Sequence, residues 1–322
     1  MSSEYSDDTS EATVLNTFKS LIKQDVAVPV AAMYALVKLI SSSTQITTWM
    51  QLSDALKKAI NTLKSATTLE VLGGRTAISL ASGCELFMEI VKKASVDDTE
   101  FSKCKEDIVR RGEAFAKMSL VARTRIAEIG HSFVQDGHTV LVHGESRVAA
   151  QLIIEAAKSK QFTVILTEGR SHNNKSERKS TLINQLKDKI PIKVIYDSAV
   201  AAVMDQVDLC IVGAEGVMEN GGIINKIGTY QLAIVAKALN KPFYVAVESY
   251  KFARMYPLSQ RDVADLFCSN HEPNNNKDDS IDVEKLFIDF TPAEYINLLF
   301  TDLGVLTPAA VSDELIRLHI GA

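Results

Sequence analysis

Cysteine is scarce in this chain of 322 residues, and the four that occur are far apart. Cys84, Cys104, Cys210 and Cys268 lack the paired spacing of a zinc site or of a dithiol redox motif. Cys210 lies in an apolar run, and none of the four has an evident base beside it. We therefore expect four reduced, mostly buried cysteines, no metal site and no reactive thiol.

The chain also lacks a long apolar run, a secretory signal and an excess of basic residues. Its first residues, MSSEYSDDTSEA, are polar and acidic, and no uncharged apolar run reaches membrane-spanning length. The net charge of −5 gives no general attraction to nucleic acid or to an anionic membrane. We expect a cytosolic protein without direct nucleic-acid or membrane contacts. Its 46% hydrophobic and 23% charged residues are ordinary for a folded protein.

The N-terminal part of the chain has the spacing of helices. From residue 13 to about residue 129, apolar residues recur every three or four positions. We therefore predict an all-helical N-terminal domain over residues 1–129. The helical runs begin at Val14, Val28, Met50, Thr76 and Phe101.

After Gly130, short β-rich runs alternate with helical segments. Strands that are separated by helices predict a parallel sheet with right-handed crossovers. The fold class is therefore α/β, with a Rossmann-like, doubly wound domain over residues 130–322. The predicted strands are TVLVH at Thr139, TVILT at Thr163, IKVIYD at Ile192, DLCIVG at Asp208 and FYVAVE at Phe243.

Three features follow these strands. Residues 270–282 are polar and predict an exposed loop. Thr291 and Thr307 each precede a proline, which predicts two helix starts. The apolar residues between 295 and 306 predict that this end returns to the sheet or enters a subunit contact; Val305 and Val311 could belong to a dimer seam or to the core.

The most informative segment is residues 212–233, VGAEGVMENGGIINKIGTYQLA. It joins an apolar strand to a helix, predicted from Ile227 to Leu239, through a loop rich in glycine and carboxylates. Ligands of open parallel sheets bind at the carboxyl ends of strands, close to helix N-termini. Lys226 therefore stands where an anion would bind. The alternative is a capping turn with a solvated lysine, and spacing alone does not decide.

The same edge of the predicted sheet collects further polar side chains. Cationic groups there can hold a phosphate, while Glu168, Asp197 and Glu215 can accept hydrogen bonds from sugar hydroxyls. We predict a pocket for a sugar phosphate or a nucleotide monophosphate. In the alternative, the carboxylates cap helices, the arginines pair with them and His143 is an ordinary half-buried imidazole. The predicted pocket residues are Arg75, His143, Arg147, Glu168, Arg170, Glu215, Asn225 and Lys226.

Several blocks of sequence resemble one known family. The chain resembles the regulatory subunits of eukaryotic translation initiation factor 2B in three long blocks, GAEGVMENGGIINKIGTYQLA, KPFYVAVESYKF and LFTDLGVLTPAAVSDELI. Three shorter blocks, RTRIAEIG, TVLVHGESR and TEGR, support the resemblance. The resemblance covers nearly the whole chain. NKIGTYQLA and the ending LGVLTPAAVSDELIRL are most similar to the alpha members.

The resemblance implies a regulatory role without catalysis or cofactor. Such a subunit would form a homodimer and assemble with the beta, delta, gamma and epsilon subunits of the exchange factor that recharges initiation factor 2 with GTP. It would help to recognise the phosphorylated alpha subunit of initiation factor 2. Residues 75–85 of the helical half are the candidate contact surface. The alternative is that these helices only pack on one another.

The family is also similar to the methylthioribose-1-phosphate isomerases. Where those enzymes have a catalytic cysteine in T-H-C-N, this chain has Gly144, and where they have the aspartate of G-A-D-R it has Glu215. Glycine cannot move the proton that isomerisation requires. The resemblance implies that the phosphate and hydroxyl contacts remain without the chemistry. The alternatives are a sugar-phosphate isomerase-like enzyme and a free-standing metabolite-binding protein.

Overall fold

The computed structural model describes residues 4–24, 26–66, 77–97, 100–144, 146–169, 181–262 and 287–320. The chain forms two compact units, Met1–Val121 with Leu318–Ala322, and Ala122–Arg317. The predicted domain boundary, between residues 129 and 130, falls at the end of a long helix. No helix among these residues is long and apolar enough to cross a membrane.

The N-terminal region is helical, as its periodicity predicts. In α2, buried residues occur on nearly every turn, because neighbouring helices cover it. Gly83 lets α4 approach α2 closely: a Cβ there would lie 2.6 Å from the Cα of Pro29. The helices are α1 (Glu4–Lys23), α2 (Val28–Ser42), α3 (Trp49–Ala66), α4 (Ala77–Asp97) and α5 (Phe101–Gly130).

The second unit is built on a seven-stranded sheet, called here the main sheet. Its order is β11-β10-β7-β4-β1-β2-β3, with all neighbours parallel except the antiparallel pair of β10 and β11. The parallel strands therefore follow the order of a doubly wound fold, and the α/β prediction is confirmed. The strands are β1 (Thr139–His143), β2 (Thr163–Thr167), β3 (Ile192–Ile195), β4 (Leu209–Gly213), β7 (Phe243–Ala246), β10 (Leu298–Thr301) and β11 (Gly304–Leu306).

Helices flank this sheet, and the residues between them form its core. Val140, Val142, Val164, Leu166 and Ile211 belong to one buried apolar cluster. The side chains of α6 join the same cluster, because its apolar residues recur at helical spacing. The helices of this region are α6 (Arg147–Ala156), α7 (Thr181–Leu186), α8 (Val200–Val203), α9 (Thr229–Ala238) and α10 (Val311–Ile320).

Two strands of a second, small sheet lie in the segment that the sequence predicted to be a loop. The order of this sheet is β8-β5-β6-β9, with β5 (Gly216–Met218), β6 (Ile223–Lys226), β8 (Phe252–Ala253) and β9 (Ile288–Thr291). Gly221, with φ of 79°, closes the β5–β6 hairpin and donates its N–H to the carbonyl of Met218 at 2.9 Å. The predicted loop between strand and helix therefore contains a β-hairpin, and the helix predicted from Ile227 begins at Thr229.

The C-terminal segment corrects one prediction and confirms another. No α-helix follows Thr291, which ends β9; a single 3-10 turn (Ala293–Tyr295) leads into β10, whose residues Leu299 and Phe300 are buried beside β7. The start at Thr307 is confirmed, since Pro308–Ala310 continues into α10. The predicted return to the sheet is likewise confirmed, whereas the loop at 270–282 lies outside the described residues.

The cysteines behave as small core residues. Cys84, Cys104 and Cys210 are reduced and buried, and burial raises the pKa of Cys84 and of Cys210 to about 12. A thiol with so high a pKa is a poor nucleophile at neutral pH. Cys268 lies outside the described residues.

Candidate functional site

The order of the main sheet reverses between β1 and β4, and open α/β sheets bind ligands at such a point. β1 ends at His143 and β4 ends at Gly213. Ser146 caps α6 by accepting the N–H of Ala149 at 3.3 Å. A Cβ on Gly213 would lie 2.2 Å from the Oγ of Ser146, so only glycine lets the end of β4 meet this helix start.

Two left-handed glycines bring the loops after β1 and β2 together beside Lys226. Gly144 has φ of 58° and Gly169 has φ of 63°. A Cβ on Gly169 would lie 2.7 Å from the Cα of Gly144. A Cβ on Gly144 would lie 3.5 Å from the Cδ and 4.0 Å from the Nζ of Lys226. The Lys226 side chain therefore extends past the end of β1, where the sequence predicted a cation.

His143 is hydrogen-bonded through both ring nitrogens. Its Nε2 lies 3.0 Å from the carbonyl oxygen of Ile227, which can only accept, so Nε2 carries a proton. Its Nδ1 lies 2.7 Å from the Oγ1 of Thr167. The Thr167 hydroxyl also accepts the N–H of Gly144 at 3.2 Å. It donates to Nδ1 when His143 is neutral, and every member of this network then has a partner.

Burial keeps His143 neutral. Loss of solvent lowers the pKa of this imidazole below its usual value, and the Lys226 cation acts in the same direction. The carboxylate of Asp197, 4.0 Å from Nδ1, opposes the shift, as does the carbonyl of Ile227. Asp197 also accepts the N–H of Gly169 at 2.9 Å, so it fixes the loop after β2. His143 therefore holds the loops in place in this geometry.

Four other predicted pocket residues lie on or directly beside neighbouring elements. Arg147 is the first residue of α6 and is half-buried, whereas Glu168 is exposed beside Gly169. Glu215 is half-buried in the turn between β4 and β5, and its N–H donates to the carbonyl of Ile224 at 2.9 Å. Asn225 is buried and donates its amide to the Oγ1 of Thr229 at 3.1 Å. Arg75 and Arg170 lie outside the described residues.

The structure adds a buried ionic cluster that sequence reasoning did not assign. Arg123 Nε lies 3.0 Å from Glu248 Oε1, and Lys251 Nζ lies 3.1 Å from Glu248 Oε2. The Tyr250 hydroxyl donates to Oε1 at 2.9 Å, and Lys251 donates to the carbonyl of Ala214 at 2.8 Å. Burial opposes the ionisation of Glu248, but the two cations outweigh it and lower its pKa to about 2. The cluster thus fixes the loop after β4.

A second buried carboxylate was also missed. Asp289 lies on β9, and its Oδ2 accepts the N–H of Gly228 at 2.8 Å and of Tyr230 at 3.0 Å. Burial raises its pKa to about 7, although these backbone hydrogen bonds act in the opposite direction. A lone acid inside the apolar run LFIDF is the signal that sequence could have used, because a buried carboxylate requires partners.

The candidate partner surface at residues 75–85 is largely internal where it is described. Ile78, Leu80 and Cys84 are buried, while Glu85 is exposed. This part of α4 therefore contributes mostly to packing within the helical unit.

The model of the initiation factor 2 subunit family matches residues 22–308, which include both helical and sheet regions. The chain belongs to this family. A named relative, translation initiation factor eIF2B subunit alpha of Dictyostelium discoideum, is 41% identical over 323 residues, with 95% of this chain and 96% of the relative covered. This similarity agrees with the resemblance to the alpha members.

Two further similarities extend beyond the alpha members. Ribose 1,5-bisphosphate isomerase of Archaeoglobus fulgidus is 32% identical over 241 residues, or 72% of each chain. The crystal structure of the tetrameric eIF2B-beta2-delta2 complex from C. thermophilum superimposes with a TM-score of 0.74 at 17% identity, covering 95% of each chain. At that identity the structural match establishes the fold alone.

Proposed function

We propose that this chain is a non-catalytic regulatory subunit of the guanine-nucleotide exchange factor for translation initiation factor 2. It acts in the cytosol as a homodimer within an assembly that contains beta, delta, gamma and epsilon subunits. It makes exchange sensitive to phosphorylation of the alpha subunit of initiation factor 2. The observation that carries this proposal is the 41% identity to an eIF2B alpha subunit over 95% of the chain.

The end of β1 supports a role without isomerase chemistry. Gly144 offers no side chain at the position of the isomerase cysteine, and the neighbouring ring of His143 has both nitrogens engaged. A proton transfer between adjacent carbons requires a positioned base and acid. Glu215 alone provides only one such group. We therefore propose that the chain retained the pocket and lost the reaction.

The same edge supports binding of a sugar phosphate or a nucleotide monophosphate. Lys226 lies beside the loops that follow β1 and β2, and a Cβ on the left-handed Gly144 would lie 4.0 Å from its Nζ. Arg147 stands at the start of α6, where the helix dipole also favours an anion. Glu168 and Glu215 supply acceptors for hydroxyl groups. We propose Arg75, Arg170 and Asn225 as further members of this site.

The regulatory role is tested by measuring GDP release from initiation factor 2. The other exchange-factor subunits are assayed with and without this chain, on phosphorylated and unphosphorylated substrate. We expect phosphorylated substrate to inhibit strongly only when the chain is present. Equal inhibition without it would exclude the regulatory role.

The ligand is tested by calorimetry and thermal melting with ribose 5-phosphate, AMP and inorganic phosphate. Replacing Lys226 or Arg170 by alanine should abolish the ligand-induced rise in melting temperature. Lys158→Ala is the matched control, since this exposed lysine pairs only locally with Glu155 on α6. Absence of heat and of a melting shift with every probe would show that the pocket is vestigial.

An isomerase-like enzyme is the second candidate, favoured by the 32% identity to an archaeal ribose 1,5-bisphosphate isomerase. The discriminating assay incubates the purified chain with ribose 1,5-bisphosphate and monitors conversion to a ketose. We expect no turnover above background. Turnover by the unmodified chain that Glu215→Gln abolishes would support the isomerase hypothesis.

A further inference from the structure

The turn that follows Lys226 is held from two sides. Turn 227–230 comprises the two residues that connect β6 to α9 and the first two residues of α9, and Gly228 adopts φ of 101°, in the left-handed region. From β1, the ring of His143 donates to the carbonyl of Ile227 at 3.0 Å. From β9, Asp289 accepts the N–H groups of Gly228 and Tyr230 at 2.8 and 3.0 Å. Three backbone groups of this turn are thus fixed by two side chains that are distant in sequence.

Asp289 takes the place of a helix cap. The N-cap residue of α9 is Gly228, which has no side chain with which to accept the first amide groups. Asp289 supplies that acceptor from a position 61 residues away in sequence. The N-terminus of α9 therefore depends on a strand of the small sheet, because helix amide groups left without a partner cost free energy.

Contacts on both sides restrict the position of the turn's backbone, and the first of them is with His143. A Cβ on Gly228 would lie 2.9 Å from the Cε1 of His143, so backbone and ring are in close contact. On the other side, β9 pairs with β6 in register, with Lys226 opposite Ile288 and Asn225 opposite Asp289. The backbone of Lys226 is held by its strand partner before the turn and by the clamped amides after it.

We propose that Asp289 is a positioning residue for the anion site: it fixes turn 227–230 so that the Lys226 side chain extends past Gly144. The inference rests on the proposed pocket. In this proposal Asp289 acts through backbone geometry and not through contact with the anion. Its Oδ1 is buried without a hydrogen-bond partner among the described residues, an arrangement that folding alone would disfavour.

The test compares Asp289→Ala, which removes the acceptor, with Asp289→Asn, which keeps an acceptor of the same shape. Amide exchange of residues 228 and 230 is measured without ligand, and the Kd for ribose 5-phosphate is measured by calorimetry. For Asp289→Ala we expect faster exchange at both amides and a Kd raised about tenfold. For Asp289→Asn both values should stay close to those of the unmodified chain.

Phe290→Leu is the control for general destabilisation, because Phe290 lies on the same strand and packs its ring against Gly222 instead of the turn. It should lower the melting temperature while leaving the Kd and the two exchange rates unchanged. Equal Kd values for Asp289→Ala and the unmodified chain, or a loss of binding by Phe290→Leu equal to that of Asp289→Ala, would overturn the proposal.

The two proposals fail separately. If the unmodified chain binds no probe, the proposed anion pocket is contradicted. Faster amide exchange in Asp289→Ala would still support the proposal that Asp289 fixes turn 227–230. If exchange at residues 228 and 230 is unchanged in Asp289→Ala, the clamp fails whatever the chain binds.

Discussion

Glu248 and Asp289 are both buried carboxylates beside the same edge of the main sheet, and they differ in what surrounds them. Glu248 is completely buried between two cations and a tyrosine hydroxyl, and its pKa falls to about 2. Asp289 is buried with backbone amides as partners, and its pKa rises to about 7. Burial acts in the same direction on both.

The difference shows that charge partners, more than burial, set the ionisation of these acids. Attraction to two full positive charges offsets the desolvation free energy of the Glu248 carboxylate. Hydrogen bonds from backbone amides offset only part of that free energy for Asp289. Glu248 is therefore a fixed anion at neutral pH. The Asp289 carboxyl, which accepts hydrogen bonds from turn 227–230, has a pKa close to neutral pH.

The largest expected effect is that of Glu248→Gln. The substitution leaves Arg123 and Lys251 facing a neutral amide, and breaking a buried ion pair costs roughly 3 to 5 kcal/mol. Urea denaturation at pH 7 measures the loss of unfolding free energy. A loss below about 1 kcal/mol, the value for a surface pair, would mean that the cluster is hydrated.

The pH dependence should differ in sign between the two acids. The folded pKa of Asp289 lies above its ordinary value of 3.8, so its contribution is full below about pH 4 and is lost as the pH rises through 7. The folded pKa of Glu248 lies below its ordinary 4.5, so its contribution is present above that pH and is lost as the pH falls through 2.

Unfolding free energies of the unmodified chain, Asp289→Asn and Glu248→Gln across this pH range measure both slopes. Within each window we expect a change on the order of 1 kcal/mol per pH unit relative to the substituted chain. Parallel curves for the unmodified chain and Asp289→Asn would contradict the raised pKa of Asp289.

Asp289→Ala at pH 7 should cost about 1 to 2 kcal/mol, because it removes the acceptor that caps α9. Asp289→Asn should cost less, since an amide oxygen can accept the same two N–H groups. Chemical denaturation of the two variants side by side makes the comparison. An equal loss in both would assign the effect to charge and not to capping.

The smallest effect is expected for Glu155→Gln. Glu155 pairs with Lys158 on the surface of α6 at 2.6 Å, where the lysine is largely exposed. Exposed pairs of this kind contribute about 0 to 1 kcal/mol. A cost approaching that of Glu248→Gln would remove the contrast between buried and exposed ion pairs.

The sequence predicted the helical region and the strands of the doubly wound sheet, because both leave periodic patterns of apolar residues. The five helical runs and the segments at Thr139, Thr163, Ile192, Asp208 and Phe243 were all found. The small sheet was not predicted, since its strands have only two to four residues. Its pairings also join segments far apart in sequence, such as Asn225 with Asp289.

The candidate site was predictable to the level of loops. Because the carboxyl ends of parallel strands meet at one edge of a sheet, the sequence predicted that His143, Gly144 and Lys226 lie close together there. The structure places these three residues side by side. The sequence could not indicate that both nitrogens of His143 serve the backbone and Thr167. Nor could it identify the partners of Asp289 and Arg123, because they lie 61 and 125 residues away in the sequence.

The pairing of the main sheet has a consequence for the rate of folding. β10 and β11 form a local hairpin in which Thr301 pairs with Gly304, but β7 and β10 pair Val245 with Leu299. The chain between two such paired residues is long, and it must close into a loop before the parallel contact can form. Folding slows as the mean sequence separation of contacts increases. We expect the helical unit to reach its native contacts well before the parallel strands of the main sheet are paired.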